Sequence, residues 1–317
     1  MRSENYGYIA EKIINPESNF FGGISGITGE ELVIDGNWEI WLPPLEIQAN
    51  EWLETMSCVS FAIANAIETI LNRKYSLDRN YSDRALAKMS GTKRTGNEMS
   101  VVANTAQNGL LTESQWPFDR MDIKTWDEFY KEIPTDILVK AKDFTEEFEL
   151  QWEWVFSGDI ENIKKALKYS PLAVAIYAYT AQDANGYYTR TESWPNHLVL
   201  LYGYEDGKCW WIYDSYKNCF KKLAWDFKFG AKIKFNLIRI NELMPKYNFE
   251  NNTLLQLVEG TGGFGLYLDG KLFVDDLDKI LASWLVRNSG NTSGMTRAVT
   301  NEIWESLPKF NLKGDEI

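Results

Sequence analysis

The order of periodicities along this chain predicts an α+β fold. Helical spacing of apolar residues dominates from residue 57 to residue 169, and short runs rich in β-branched and aromatic residues follow it. Between two of those runs, Asp206-Gly207 is a hairpin signal, so the strands are expected to pair antiparallel.

Taken in order, residues 1–45 carry turn signals at Phe21-Gly22-Gly23 and Asp35-Gly36 and then Trp41-Leu42-Pro43-Pro44, the marks of an extended strap over a larger body. From Ser57 to Arg73, Phe61, Ala62, Ala66, Ile67, Ile70 and Leu71 recur at helical spacing with no Gly or Pro between them, which predicts a buried helix. Further helices are expected at Ser82 to Met89, at Asn97 to Gln107 with Asn108-Gly109 as its stop, at Trp126 to Ile133, and at Asp159 to Tyr169 ahead of Pro171. Leu172 to Tyr179, His197 to Tyr204 and Cys209 to Tyr213 are expected strands. After about residue 240 the texture changes to a polar stretch, glycine-rich hairpins at Gly262-Gly263 and Asp269-Gly270, and helices near Leu277 to Arg287 and Thr296 to Leu307. This divides the chain into the strap, a body at 46–240 and a small accessory module at 241–317 that could dock on a larger assembly.

Composition narrows the function classes. With 317 residues the chain buries an ample core, and 44% hydrophobic with 25% charged residues is ordinary for a globular protein. There is no apolar run long enough to span a bilayer and no signal-like start, so no membrane partner is expected, and a cytoplasmic or virion-associated setting fits. A formal charge of −12 without a basic stripe speaks against nucleic acid. The 13 Trp and 16 Tyr exceed what a core needs, and such residues often line grooves for extended peptides or sugars. Cys58, Cys209 and Cys219 are too few for a disulfide scaffold. His197 is the single histidine, so a His-rich zinc site is excluded and imidazole chemistry has one place to occur. Asp275, Asp276 and Asp278 sit where carboxylates favour a helix dipole, and Gly260-Thr261-Gly262-Gly263 lacks the lysine of a phosphate loop. No metal and no cofactor is assigned.

Three residues stand out chemically. Cys58 falls in the first turn of the predicted helix, beside free backbone N–H groups that favour thiolate, although a lone cysteine on an apolar helix is more often a small core residue. His197 opens an apolar strand, and Asp214 closes its partner across the hairpin, where a carboxylate would orient the imidazole.

The segment Ser57-Cys58-Val59-Ser60-Phe61-Ala62 resembles the nucleophile motif of papain-like cysteine proteases, and Asn196-His197-Leu198-Val199-Leu200-Leu201-Tyr202-Gly203-Tyr204 resembles their histidine strand. Trp211-Ile212-Tyr213-Asp214-Ser215-Tyr216 is similar to the aromatic strand that ends in the orienting residue. Tyr81 to Leu86 and Gly96 to Phe118 look like the second and third helices, and the Cys58-to-His197 separation lies within the roughly 130–150 residues typical of such enzymes. The resemblance covers residues 40–235 and implies a two-lobe fold, a helical left lobe with Cys58 and a β-barrel-like right lobe with His197 and Asp214, the small α/β module being appended. It further implies Cys58 as nucleophile, His197 as base and acid, Asp214 as orienting group, Tyr216 as the shield of that pair, and Gly96 as what remains of a glycine wall of the groove.

Departures from the pattern are specific. Met56 stands where a glycine is usual, Val59 replaces an aromatic residue, and Trp52 occupies the place of the glutamine that supplies an oxyanion donor. Gln48 takes that role if residues 49–55 form a lengthened loop, with Asn50 in reserve. The strap is too short and too poor in helical pattern to resemble an inhibitory propeptide, so the sequence gives no support to self-inhibition. The resulting expectation is an endopeptidase acting on polypeptides through a thioester. A cell-wall amidase, a transglutaminase-like acyltransferase, or a decayed binding protein would share the fold, and the pairing of such a core with a terminal module resembles proteins of phage and environmental genomes.

Overall fold

The computed structural model describes residues 6–11, 20–22, 29–155, 159–179, 181–190 and 194–240, and five strands between 256 and 310. The chain divides into two compact units, Met1–Ile238 and Arg239–Ile317.

In the first unit the longest helix is α1, Cys58–Tyr75, buried along its first fourteen residues. It is apolar nearly all round, which places it at the centre of the fold. It ends at Ser76, which takes the left-handed conformation. Helix α2, Asp83–Met89, starts on Ser82, whose hydroxyl accepts from the Ala85 N–H, and α3 spans Met99–Gln107. The helix expected from Trp126 to Ile133 is a single turn, α4, Trp126–Phe129, held by a Thr125/Glu128 capping box. It stops at Tyr130, whose hydroxyl is drawn to the Thr55 carbonyl at 2.7 Å. Short helices α5, Thr135–Leu138, and α6, Lys142–Glu147, lead into strand β1, Phe148–Trp154, and α7 spans Ile160–Leu167.

The remaining strands are β2 Leu172–Ile176, β3 Ala181–Gln182, β4 Tyr188–Thr189, β5 His197–Glu205, β6 Cys209–Tyr213, β7 Phe220–Ala224 and β8 Lys232–Arg239. They form one sheet in the order β1-β8-β2-β5-β6-β7-β4-β3, with every pairing in the run from β8 to β7 antiparallel. The long run expected from Leu172 leaves the ladder after Ile176, where the Asn196 side chain both donates to the Ala178 carbonyl and accepts from its N–H. α1 packs against β5 and β2, which brings the start of the helix to the start of β5. In the described parts of the strap, Tyr8 bridges Asn97, Phe20 bridges Trp154, fully buried Trp38 donates its indole N–H to the Leu167 carbonyl, and one 3-10 turn spans Glu39–Trp41.

In the second unit, β9 Gln256–Gly260, β10 Gly263–Leu268 and β11 Lys271–Phe273 form two antiparallel pairs, β9 with β10 and β10 with β11, while residues 261–262 and 269–270 lie outside the described residues. β12, Arg297–Ala298, runs parallel to β9, and β13, Lys309–Phe310, parallel to β11. The helix expected from Thr296 is thus corrected at 297–298 to strand, in keeping with the β-branched Val299 and Thr300 that follow. The helix expected at 277–287 lies outside the described residues.

Candidate active site

Cys58 is the first residue of α1, and the Leu198 and Val59 backbone N–H groups face its sulfur. His197 begins β5 and lies opposite Ile176. Leu200 pairs with Tyr213 and Leu201 with Ile212, so Asp214, one step beyond β6, falls across from Val199, on the same face as His197. The result is a 2.7 Å contact between His197 Nε2 and Asp214 Oδ1, with both side chains fully buried. Nδ1 of His197 has no hydrogen-bond partner among the described residues.

The carboxylate has two further partners that nothing in the sequence marked. Asp214 Oδ2 accepts from Lys221 Nζ at 2.7 Å and from the Tyr179 hydroxyl. Burial alone would raise the Asp214 carboxyl, but the adjoining His197 ring and the Lys221 ammonium outweigh it and hold the group well below the usual carboxylate range. Tyr216 sits over the imidazole, ring centroids 5.4 Å apart, and donates its hydroxyl to Glu54 Oε2 at 2.6 Å.

The loop between Gln48 and Cys58 is a hairpin closed by an Ala49–Glu54 bridge. Asn50, held in reserve as an oxyanion donor, ties that loop down instead: its amide donates to the Arg120 and Ile123 carbonyls, and its oxygen accepts from the Trp52 and Leu53 N–H groups. Gln48 is fully buried, and its amide nitrogen faces three acceptors, Glu54 Oε1 at 2.7 Å, the Tyr216 hydroxyl at 2.8 Å and the Tyr6 carbonyl at 3.3 Å. Its oxygen accepts from Ser215 Oγ at 2.7 Å. Met56 adopts φ +58°, the left-handed conformation natural to the glycine it replaces.

Residues 6–11 fill the cleft. The Tyr6 N–H donates to the Asn196 carbonyl at 3.0 Å, the Asn97 N–H to the Gly7 carbonyl at 3.0 Å, and the Ile9 N–H to the Asn97 carbonyl at 2.9 Å. The Tyr6 ring lies 5.3 Å from the His197 ring. Gly7 (φ +111°) and Gly96 (φ +96°) permit this approach, since a Cβ at Gly7 would stand 2.3 Å from the Met56 carbonyl oxygen and one at Gly96 2.0 Å from the Gly7 carbonyl oxygen. Gly96 therefore does line this strip, but against the chain itself. Cys58 is left with no exposure, and burial pushes its thiol up, overriding the lowering expected from the helix N-terminus. The strap thus closes the site, which its lack of helical pattern had concealed.

A separate small cavity, lined by Glu46, Phe61, Asp83, Glu113 and Arg120 among others, includes none of Cys58, His197 and Asp214. Among the described residues no His, Cys, Asp or Glu cluster fits a metal ion, and no helix is long and apolar enough to cross a membrane.

No family profile matches the chain, and no curated protein matches it in sequence. Solved structures do match in fold. Digestive procathepsin L 3 of the Tenebrio molitor larval midgut superposes with a TM-score of 0.52 at 17% identity, over 73% of this chain and 76% of that one. Digestive procathepsin L2 proteinase from the same tissue gives 0.48 at 15% identity, over 74% and 78%. The chain has the papain-like α+β fold.

Proposed function

We propose that this protein is a cysteine peptidase, held closed by its own residues 6–11, that cuts polypeptide chains. The observation that carries the reading is what the cleft holds. An extended piece of polypeptide is bound there through main-chain hydrogen bonds to Asn97 and the Asn196 carbonyl, with its Tyr6 carbonyl turned toward Gln48. Main-chain recognition of this kind takes any extended peptide and leaves selectivity to side-chain pockets.

In the open form the Cys58 sulfur attacks a peptide carbonyl carbon while its proton passes to His197 Nδ1, the ring nitrogen not committed to Asp214. The oxyanion so formed takes the Gln48 amide in place of the Tyr6 carbonyl, together with the backbone N–H of Cys58. His197 returns the proton to the departing amine as the C–N bond breaks, leaving a thioester. Water then attacks the thioester with His197 as base, and the thiol and a carboxylic acid are regenerated. No observation favours the amidase, acyltransferase or decayed-site alternatives.

The test is the appearance of new amino termini when an unfolded protein is incubated with the wild type, with Gly7→Ala and with Cys58→Ala. Gly7→Ala places a methyl against Met56, so it displaces the strap without altering the cleft wall, and is expected to cut faster than wild type. Cys58→Ala is expected to be inert. Equal activity in Gly7→Ala with and without Cys58 would end the proposal.

A further inference from the structure

The carboxylate that holds His197 carries a second charge on its other oxygen. Lys221 lies in β7, paired with Ile212, and turns inward while Lys222 beside it is exposed. Its side chain is only 9% exposed, its ammonium is 2.7 Å from Asp214 Oδ2, and it stands 4.7 Å from the centre of the Tyr179 ring. The Tyr179 hydroxyl donates to the same oxygen. The other titratable groups around the pair are acids, which carry no positive charge: Tyr6 from the strap, Cys58 from α1, Tyr188 from β4, Tyr216 after β6, and Glu54 from the Gln48 loop. Lys221 is thus the one lysine or arginine on Asp214 among the described residues.

We propose that Lys221 is a positioning residue that tunes His197 through Asp214. An uncompensated carboxylate 2.7 Å from an imidazole favours the imidazolium strongly and makes it a poor proton donor to a leaving amine. With an ammonium on its far oxygen, the carboxylate presents to the ring an acceptor close to neutral overall, electrostatically comparable to a carboxamide. Tyr179 fixes the plane of the carboxylate, so that Oδ1 stays aimed at Nε2. This inference rests on His197 as the base of the proposed reaction, but its electrostatic core can be read without turnover.

Because the chain has one histidine, an isotope-labelled sample gives a single imidazole titration by NMR. In Lys221→Met the midpoint is expected to rise by roughly one pH unit, the effect of removing a charge some ångströms beyond a carboxylate at a partly screened site. Lys221→Arg keeps the charge and should stay near wild type. Asp214→Asn combined with Lys221→Met removes both charges together and should bring the midpoint back toward wild type, a double-mutant cycle with strong coupling. An unshifted midpoint in Lys221→Met, or equal midpoints in the single and double variants, would overturn the proposal. If Lys221→Met does not fold, the double variant decides: a folded protein with a midpoint near wild type upholds the charge balance, and failure of both to fold makes Lys221 a packing residue only. The alkylation rate of Cys58 is recorded over the same pH range in the Gly7→Ala background. A limb that follows the imidazole supports His197 as base. A midpoint that moves while alkylation does not follow would sink the proposed function and leave the Lys221 coupling standing.

Discussion

The helical and sheet sides of the first unit bury acids in opposite ways. On the sheet side, Asp214 has His197 and Lys221, and Glu153 of β1 meets Lys234 of β8 at 2.8 Å with both side chains 1% exposed. On the helical side, Glu68 of α1 and Asp83 of α2 have no such cation among the described residues. Among the described residues Glu68 accepts from the Tyr81 N–H and Asp83 Oδ1 has no hydrogen-bond partner, and burial with Glu46 and Glu113 nearby raises both carboxyls well above their usual range. Glu113 is pushed up to about 7, chiefly by burial. The lesson is that burial pushes each group toward its neutral form, and a partner of opposite charge can reverse the push. Lys232 shows the same rule with the sign reversed: its ammonium donates to the Gly230 carbonyl, and burial pushes it down to about 8.

The contrast is sharpest where it is broken. Lys234→Met strands Glu153 inside the sheet side, and a loss of about 3 kcal/mol is expected in urea unfolding at pH 7. Replacing both partners by apolar residues should cost much less, because no charge is then left unpaired. A smaller effect belongs to the helical side's Cys58. Gly7→Ala should raise the rate at which a small alkylating reagent reaches the thiol by about tenfold, equivalent to about 1.4 kcal/mol of lost strap binding. Alkylation kinetics followed by intact mass read this directly, and an unchanged rate would mean the strap does not gate the thiol.

The acids themselves predict opposite pH slopes. Asp214 is held low in the folded state, so its stabilising contribution is present above the ordinary aspartate range near pH 4 and is lost as pH falls through the folded value. Glu113 is held high, so its contribution is present below about pH 4.5 and is lost as pH rises through about 7. Glu113→Gln keeps the acceptor for the Phe118 N–H and removes the charge. Allowing for the solvent that reaches this half-buried group, it should gain about 1 kcal/mol at pH 8 and nothing at pH 4. The smallest change is expected at Met56, where glycine relieves the left-handed backbone but adds unfolded-state freedom, so Met56→Gly should stay within about 1 kcal/mol of wild type.

What could be read from the sequence follows the same division. The α1 helix declared itself because its apolar residues repeat without a breaker, and β5 and β6 because a hairpin turn joins two aromatic, β-branched runs. Cys58, His197 and Asp214 were singled out because they sit at the ends of those elements, and the structure places them at the start of α1, the start of β5 and one step beyond β6. β8 was not anticipated although Lys232-Ile233-Lys234-Phe235 alternates: lysines ordinarily stay solvated, and the sheet order shows both of these buried. Lys221 was invisible for a related reason, since a long cationic side chain is ordinarily solvated and the β6–β7 register alone turns it onto Asp214. The strap's seat in the cleft has no pattern at all. It depends on Gly7 and Gly96 allowing two backbones to touch, a relation between residues far apart in the chain.

The most direct test of the account is intact mass spectrometry after brief treatment with a vinyl sulfone, comparing Gly7→Ala with Gly7→Ala/His197→Ala. The account predicts one adduct, on Cys58 and not on Cys209 or Cys219, formed at least about a hundredfold more slowly once the imidazole is gone. Equal and sluggish labelling of the two proteins would contradict it, and Cys58 would then be an ordinary core cysteine.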